Sequence, residues 1–152
     1  MPEHAHALLH HPVARLGLAI AAMALLFGAL APGFWTLGNW MDVAEGASVT
    51  AIMAVGLLVV LVAGGIDISF AATATVAQYL AALAATRLGW PPAASIALGL
   101  ATGLALGAFN ALLIHRLRAT SIIITISTLN LYFALLMHGT RGRSIYDLPS
   151  WW

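Results

Sequence analysis

Of the 152 residues, 62% are hydrophobic and only 7% are charged. A soluble domain carries about 25% charged residues, so a water-facing surface cannot be built from this composition; a mean hydropathy of +0.97 makes the bilayer the natural solvent. A net charge of +1 gives no electrostatic basis for binding nucleic acid, and the absence of cysteine removes disulfide and thiolate chemistry.

Backbone groups in lipid must be satisfied internally, which leaves helices or a closed barrel. The apolar runs are about twice the ~10 residues of a barrel strand and do not alternate polar with apolar. The fold class is therefore an all-α polytopic membrane protein with about five transmembrane helices, over residues 16–138.

Residues 1–15, MPEHAHALLHHPVAR, form a polar, His-rich tail. His4, His6, His10 and His11 are compatible with a loose metal site, but they lack compact ligand spacing, and a solvated juxtamembrane tail accounts for them as well. The first span covers about 16–32, with Arg15 snorkelling to the interface. Ala29-Leu30-Ala31 imitates a signal-peptidase site, yet Pro32 follows at once and the segment before it carries a single arginine, so an uncleaved span is expected. Gly33 to Gly46 is a polar break with Phe34, Trp35 and Trp40, the residues of an interfacial belt, and Asn39 to Glu45 suits a short helix along that interface.

Ala47 to Thr86 is an apolar stretch of 40 residues whose one charge before Arg87 is Asp67. As a single helix it would be about 60 Å long, two bilayer cores. A break is required, Gly64-Gly65 is the place for it, and the spans become 47–65 and 67–86. Asp67 then has three readings: a proton-coupling carboxylate, a partner for an arginine, or a cap accepting from backbone N–H groups near Ser69 and Phe70. A helix beginning just after a Gly-Gly turn requires such an acceptor, which favours the cap.

Arg87 to Pro92 is a tight connection with an interfacial Trp90, and the fourth span follows at 93–114. Ser95, Gly99, Gly103, Gly107 and Ala111 recur every four residues along it, a flat stripe for helix packing, with Asn110 beside it in need of a partner. The fifth span, 119–138, sets Ser121, Thr125, Thr128 and Tyr132 on one face. Hydroxyls of this kind either bond back to their own helix or line a pathway, and Asn130 and Gln78 extend the same uncharged chemistry, which suits a polyhydroxy solute. Residues 139–152 form a polar tail ending in Trp151-Trp152. Arginines divide evenly between the two faces of a five-span arrangement, so charge leaves the orientation open. No hydrolase, P-loop or zinc-protease motif is present, so no catalytic residue is assigned.

Ala54-Val55-Gly56 followed by Ala63-Gly64-Gly65-Ile66-Asp67-Ile68-Ser69 resembles the A-x-G…GGIDLS signature of the inner-membrane permeases of ribose/xylose/simple-sugar ABC importers. Gly103-x3-Gly107-x2-Asn110 and Thr125-Ile126-Ser127-Thr128-Leu129 are similar to two further stretches of that family. Phe70-Ala71-Ala72, Ala111 and Ala119-Thr120-Ser121 depart from its usual residues.

The resemblance implies a multi-pass permease of the bacterial inner membrane that imports a simple sugar or polyol. It implies Gly64, Gly65, Ile66, Asp67 and Ser69 as the signature hinge, with Asn110, Thr125 and Thr128 as pathway or packing groups. It also implies a second permease subunit, a periplasmic sugar-binding protein and a separate ABC ATPase that holds ATP and Mg, with no cofactor in this chain. Family permeases are roughly twice as long, so the expected product is the N-terminal half of one. A stand-alone oligomeric carrier with Asp67 as coupling site, and a non-functional fragment, are the alternatives.

Overall fold

A computed structural model describes residues 12–152. Five helices follow in chain order: α1 Pro12–Leu30, α2 Leu37–Val62, α3 Phe70–Arg87, α4 Pro92–Leu117 and α5 Ser121–Thr140. Among the described residues there is no strand. The four histidines considered above as a metal site lie outside them, as does most of the His-rich tail; Pro12 to Arg15 already belong to α1.

Helices α1, α2, α4 and α5 are each long and apolar enough to cross a membrane. The exception is α3, which is diluted by Thr73, Thr75, Gln78 and Arg87. Its chemistry follows from its position. α3 packs against both α4 and α5 and buries Ala72, Ala81, Ala82, Ala84 and Ala85, so less of its surface has to be greasy. At 18 residues it is about 27 Å long, close to a hydrocarbon core of about 30 Å.

The chain divides into two compact units, Met1–Ala51 and Ile52–Trp152, with α2 running through the boundary. In the first unit, the turn after α1 is closed by aromatic packing: Phe34 meets Trp35 edge-on at 4.9 Å, and Trp40 lies 6.2 Å from Trp35. The Trp35 ring sits so close to Gly28 that any Cβ there would collide with it. Thr36 Oγ1 accepts from the Asn39 amide at 3.3 Å, an N-cap contact, which explains why α2 begins at Leu37. Asn39 to Glu45 are thus the first turns of α2 and not a separate interfacial helix, and the span expected to begin at 47 is helical ten residues earlier.

In the second unit, α3, α4 and α5 form the packed body. Gly99 of α4 is tucked against α3, where a Cβ would stand 3.3 Å from the Ala81 Cβ and 3.5 Å from the Ala77 carbonyl oxygen. The same test at Gly103 and Gly107 meets nothing within 4 Å, so the stripe is engaged at one end and open further along.

The end of α2 shows how the predicted break is made. Gly64 takes φ +83°, its N–H donates to Leu61 O at 3.0 Å, and Gly65 N–H donates to Val60 O at 3.0 Å. That pair of bonds is a Schellman motif, which satisfies the last carbonyls of the helix and requires a left-handed residue. Gly64→Ala is expected to cost about 1–2 kcal/mol, since every L side chain is strained there. The cost is measured as a shift in the denaturant midpoint of the purified protein.

Candidate functional site

Between Val62 and Phe70 the backbone is non-helical, in a chain whose other long segments are helices. Unpaired amides at this depth cost several kcal/mol each unless protein satisfies them. They are satisfied from α5. Ile66 N–H donates to Ser121 Oγ at 2.9 Å, and Ile68 N–H donates to Thr125 Oγ1 at 3.1 Å. The Thr125 hydroxyl in turn lies 3.2 Å from Ile66 O and 3.4 Å from Ile122 O, with one proton to give.

The spacing has a geometric cause. Two residues of extended chain advance about 6.6 Å, and four residues of helix advance about 6 Å. Ile66 and Ile68 therefore match Ser121 and Thr125 when the break runs alongside the first turn of α5 in the same direction. In an extended segment the carbonyl of one residue and the amide two residues on point to the same side, so the one Thr125 hydroxyl serves both, much as a neighbouring strand would.

Asp67 ends the break. Its Oδ1 accepts from both the Ser69 amide and the Ser69 hydroxyl, each at 2.7 Å. Both protons come from Ser69, whereas the sequence reading placed the donating N–H groups near Ser69 and Phe70, and Phe70 is not among the donors. Ser69 is fully buried, so without Asp67 its amide would have neither water nor carboxylate. On its other side Asp67 borders a cleft of about 140 Å³ lined by Met53, Gly56, Leu57 and Val60 of α2, together with Phe70. Gly56, the glycine of the A-x-G element, thus faces the same cleft as Asp67.

From Ser69 a chain of side-chain hydrogen bonds runs across the three packed helices. Asn110 Nδ2 of α4 donates to Ser69 Oγ at 2.7 Å, and Tyr132 of α5 donates to Asn110 Oδ1 at 2.8 Å. The Tyr132 hydroxyl also lies 3.0 Å from Leu106 O. A carboxylate only accepts, and that fixes every direction in turn. Ser69 must give its proton to Asp67, so it accepts from the Asn110 amide nitrogen; the Asn110 oxygen is then left for Tyr132. All three intermediates are buried, with Asn110 and Tyr132 each 4% exposed.

The remaining residues singled out in the sequence lie outside this relay. Thr128 is buried and its hydroxyl turns back to Ile124 O at 3.1 Å; Asn130 is exposed and donates to Ile126 O at 2.9 Å. Gln78 is exposed on α3. Ser121 and Tyr132 belong to the predicted hydroxyl face of the fifth span but were not assigned to the hinge, and the structure brings both into this network.

Replacing Thr125 by valine keeps the shape but strands the Ile68 amide. We expect a loss of about 1–3 kcal/mol in stability, with Thr125→Ser close to the parent, both read by unfolding in mixed micelles.

The family described as the branched-chain amino acid transport system / permease component matches residues 39–147, which include the break and the relay. The autoinducer 2 import system permease protein LsrD of Klebsiella pneumoniae subsp. pneumoniae is 38% identical over 136 residues, 88% of this chain and 40% of its own length. LsrD of Enterobacter sp. is 34% identical over 125 residues, 81% of this chain and 38% of its own. LsrC of Yersinia pestis, an autoinducer 2 import permease, is 29% identical over 133 residues, 88% of this chain and 38% of its own. The chain thus spans about two-fifths of the length of these curated relatives. No solved structure shows a significant match.

Proposed function

The chain belongs to the permease-component family of the branched-chain amino acid transport type, and from that premise we propose that it is part of a membrane-spanning permease subunit of an ATP-binding-cassette importer. The observation that carries this reading is the family match over 39–147, which contains the whole Gly64–Ser69 break and all of its side-chain partners. Such an importer works in a bacterial inner membrane with a second permease subunit, an ATPase that carries ATP and Mg, and a binding protein that delivers solute. The solute class is a simple sugar, a polyol or a relative of autoinducer 2. No covalent chemistry falls to this chain.

The break suits that work. Broken helices in transporters supply the elements that move, and the cost of moving them is set by stranded backbone groups. Here the backbone of residues 66–68 leans on hydroxyls, which rotate and exchange partners, and not on a fixed carbonyl ladder.

The test is co-expression of the chain with the remaining permease segment, an ATPase subunit and a binding protein. ATP-dependent uptake of labelled ribose, xylose or autoinducer 2 is the expected result. Proton-driven, pH-dependent transport by the purified chain alone in liposomes would instead establish the stand-alone carrier. A chain that neither copurifies with an ATPase nor transports any of these solutes would overturn both.

A further inference from the structure

At the far end of α3 and α5 from the break, a crevice of about 540 Å³ opens between the two helices and the start of the C-terminal tail. It reaches from Arg87 back to Val76 along α3, about 16 Å into the layer that the helices cross. Its walls are leucine and valine with Tyr79 and Tyr132 among them, and its charged groups are Arg87 and Arg143; no carboxylate lines it. A second, smaller cleft of about 250 Å³ adjoins it, ending at Trp152. The two share Tyr79, Leu136, Thr140, Arg143, Ser144 and Ile145, so they meet at Arg143.

Arg143 is held in place by the end of α5. Arg141 sits in the left-handed region at φ +54°, Gly142 N–H donates to Met137 O at 3.2 Å, and Arg143 N–H donates to Thr140 O at 3.1 Å. Arg87 closes the last turn of α3. Two arginines therefore stand at the ends of α3 and α5, with Trp152, whose ring favours the headgroup level, lining the second cleft.

We propose that this pair of clefts is a binding site for one anionic glycerophospholipid. The phosphate lies between Arg87 and Arg143, and the two acyl chains occupy the two clefts, the second of which also carries Thr75 and Gln78 on its wall. Charge selects the headgroup, because two cations with no acidic neighbour in the crevice match one phosphodiester. Shape selects a lipid over a polar solute. Most of the crevice wall is aliphatic or aromatic, and two clefts adjoin at one cationic residue, Arg143, as two chains adjoin at one glycerol. Basic pockets between spanning helices hold lipid headgroups by the same physics.

The test uses the purified chain in phosphatidylcholine bilayers doped with chain-spin-labelled phosphatidylglycerol or phosphatidylcholine. The motionally restricted fraction gives the relative association constant. Each arginine near the surface is worth about fivefold, so the parent should prefer phosphatidylglycerol roughly thirtyfold if both arginines act. R87Q/R143Q should fall within about twofold of no preference, while R87K/R143K, which keeps the charge, should retain most of it.

A parent chain without headgroup preference, or a preference that survives R87Q/R143Q, overturns the proposal. So does equal competition by free glycerophosphate, which would make the site one for a small anion. R87Q/R143Q that no longer purifies as a single species leaves R87K/R143K against the parent to decide: loss of preference with charge retained would overturn the proposal.

Discussion

Asp67→Ala is expected to abolish solute uptake in the assembled importer, and Asp67→Asn is expected to restore much of it. Alanine removes the acceptor for two protons of Ser69, both at 2.7 Å. Hydrogen bonds to charged groups are worth about 1.5–3 kcal/mol each, and a buried donor left bare adds its desolvation cost. The Ser69 amide has no water to turn to, because the residue is fully buried. The freed Ser69 hydroxyl also loses its reason to accept from Asn110, so the defect spreads from the break into the three-helix packing.

Asparagine offers an amide oxygen at the Oδ1 position, so both Ser69 protons keep an acceptor, more weakly than with a carboxylate. Initial uptake rates at equal membrane levels read the result. The pair of variants separates an acceptor role from a proton-carrying one. A capping Asp67 tolerates asparagine; a proton-carrying one does not, since an amide does not titrate. Uptake lost equally in both variants, with a pH-dependent parent, would sink the capping role. Normal uptake in the alanine variant would sink the hinge.

The physical origin of the break was legible in the sequence because it follows from length. No helix of 40 residues fits one bilayer core, and Gly64-Gly65 was the place where a left-handed turn cost least. That Asp67 acts as a local acceptor also followed from local chemistry, but its bonds go to Ser69, the N-cap residue, and the first-turn amides of α3 take no side-chain cap. What could not be read were the partners, which lie 55 to 59 residues away in sequence. Hydroxyls spaced along one face of the fifth span described a polar stripe without saying what lay against it. Ser121 and Thr125 turned out to face backbone, Thr128 its own helix, and Tyr132 an asparagine on α4.

The start of α2 shows a different limit. Asn39, Asp42 and Glu45 mark where the chain leaves the hydrocarbon, and polarity was read as the edge of the helix too. Helical geometry does not stop at the lipid boundary; it stops at a cap, and the cap is Thr36. Polarity on α3 follows a different pattern. The residues it buries are alanines, while Thr75 and Gln78 remain on its exposed side.

A double-mutant cycle on Asn110 and Tyr132 should show that the relay binds the three helices together as one unit. Asn110→Ala removes the donor to the Ser69 oxygen on one side and the acceptor of the Tyr132 proton on the other. Interhelical hydrogen bonds in membranes average about 0.6 kcal/mol and reach about 1.7; with the packing void added, a loss of about 2–3 kcal/mol is expected. Tyr132→Phe removes one bond only, and its loss should be nearer 1 kcal/mol.

The coupling between the two sites is the decisive quantity. If the proton order runs from Tyr132 through Asn110 to Ser69 and Asp67, then Tyr132→Phe should cost almost nothing once Asn110 is already alanine. The coupling is then about 1 kcal/mol, within the range for residues that share one network. Unfolding of the four purified species in mixed micelles measures it. Additive losses would mean that Tyr132 spends its proton on Leu106 O, 3.0 Å away, and that the chain of bonds ends at Asn110. The same cycle repeated on uptake separates packing from motion. A relay that only stabilises lowers the amount of folded protein, whereas one that sets the position of the break lowers the rate per folded molecule. Because Ser69 is the shared member of the cap and the relay, the second outcome is the one that this geometry predicts.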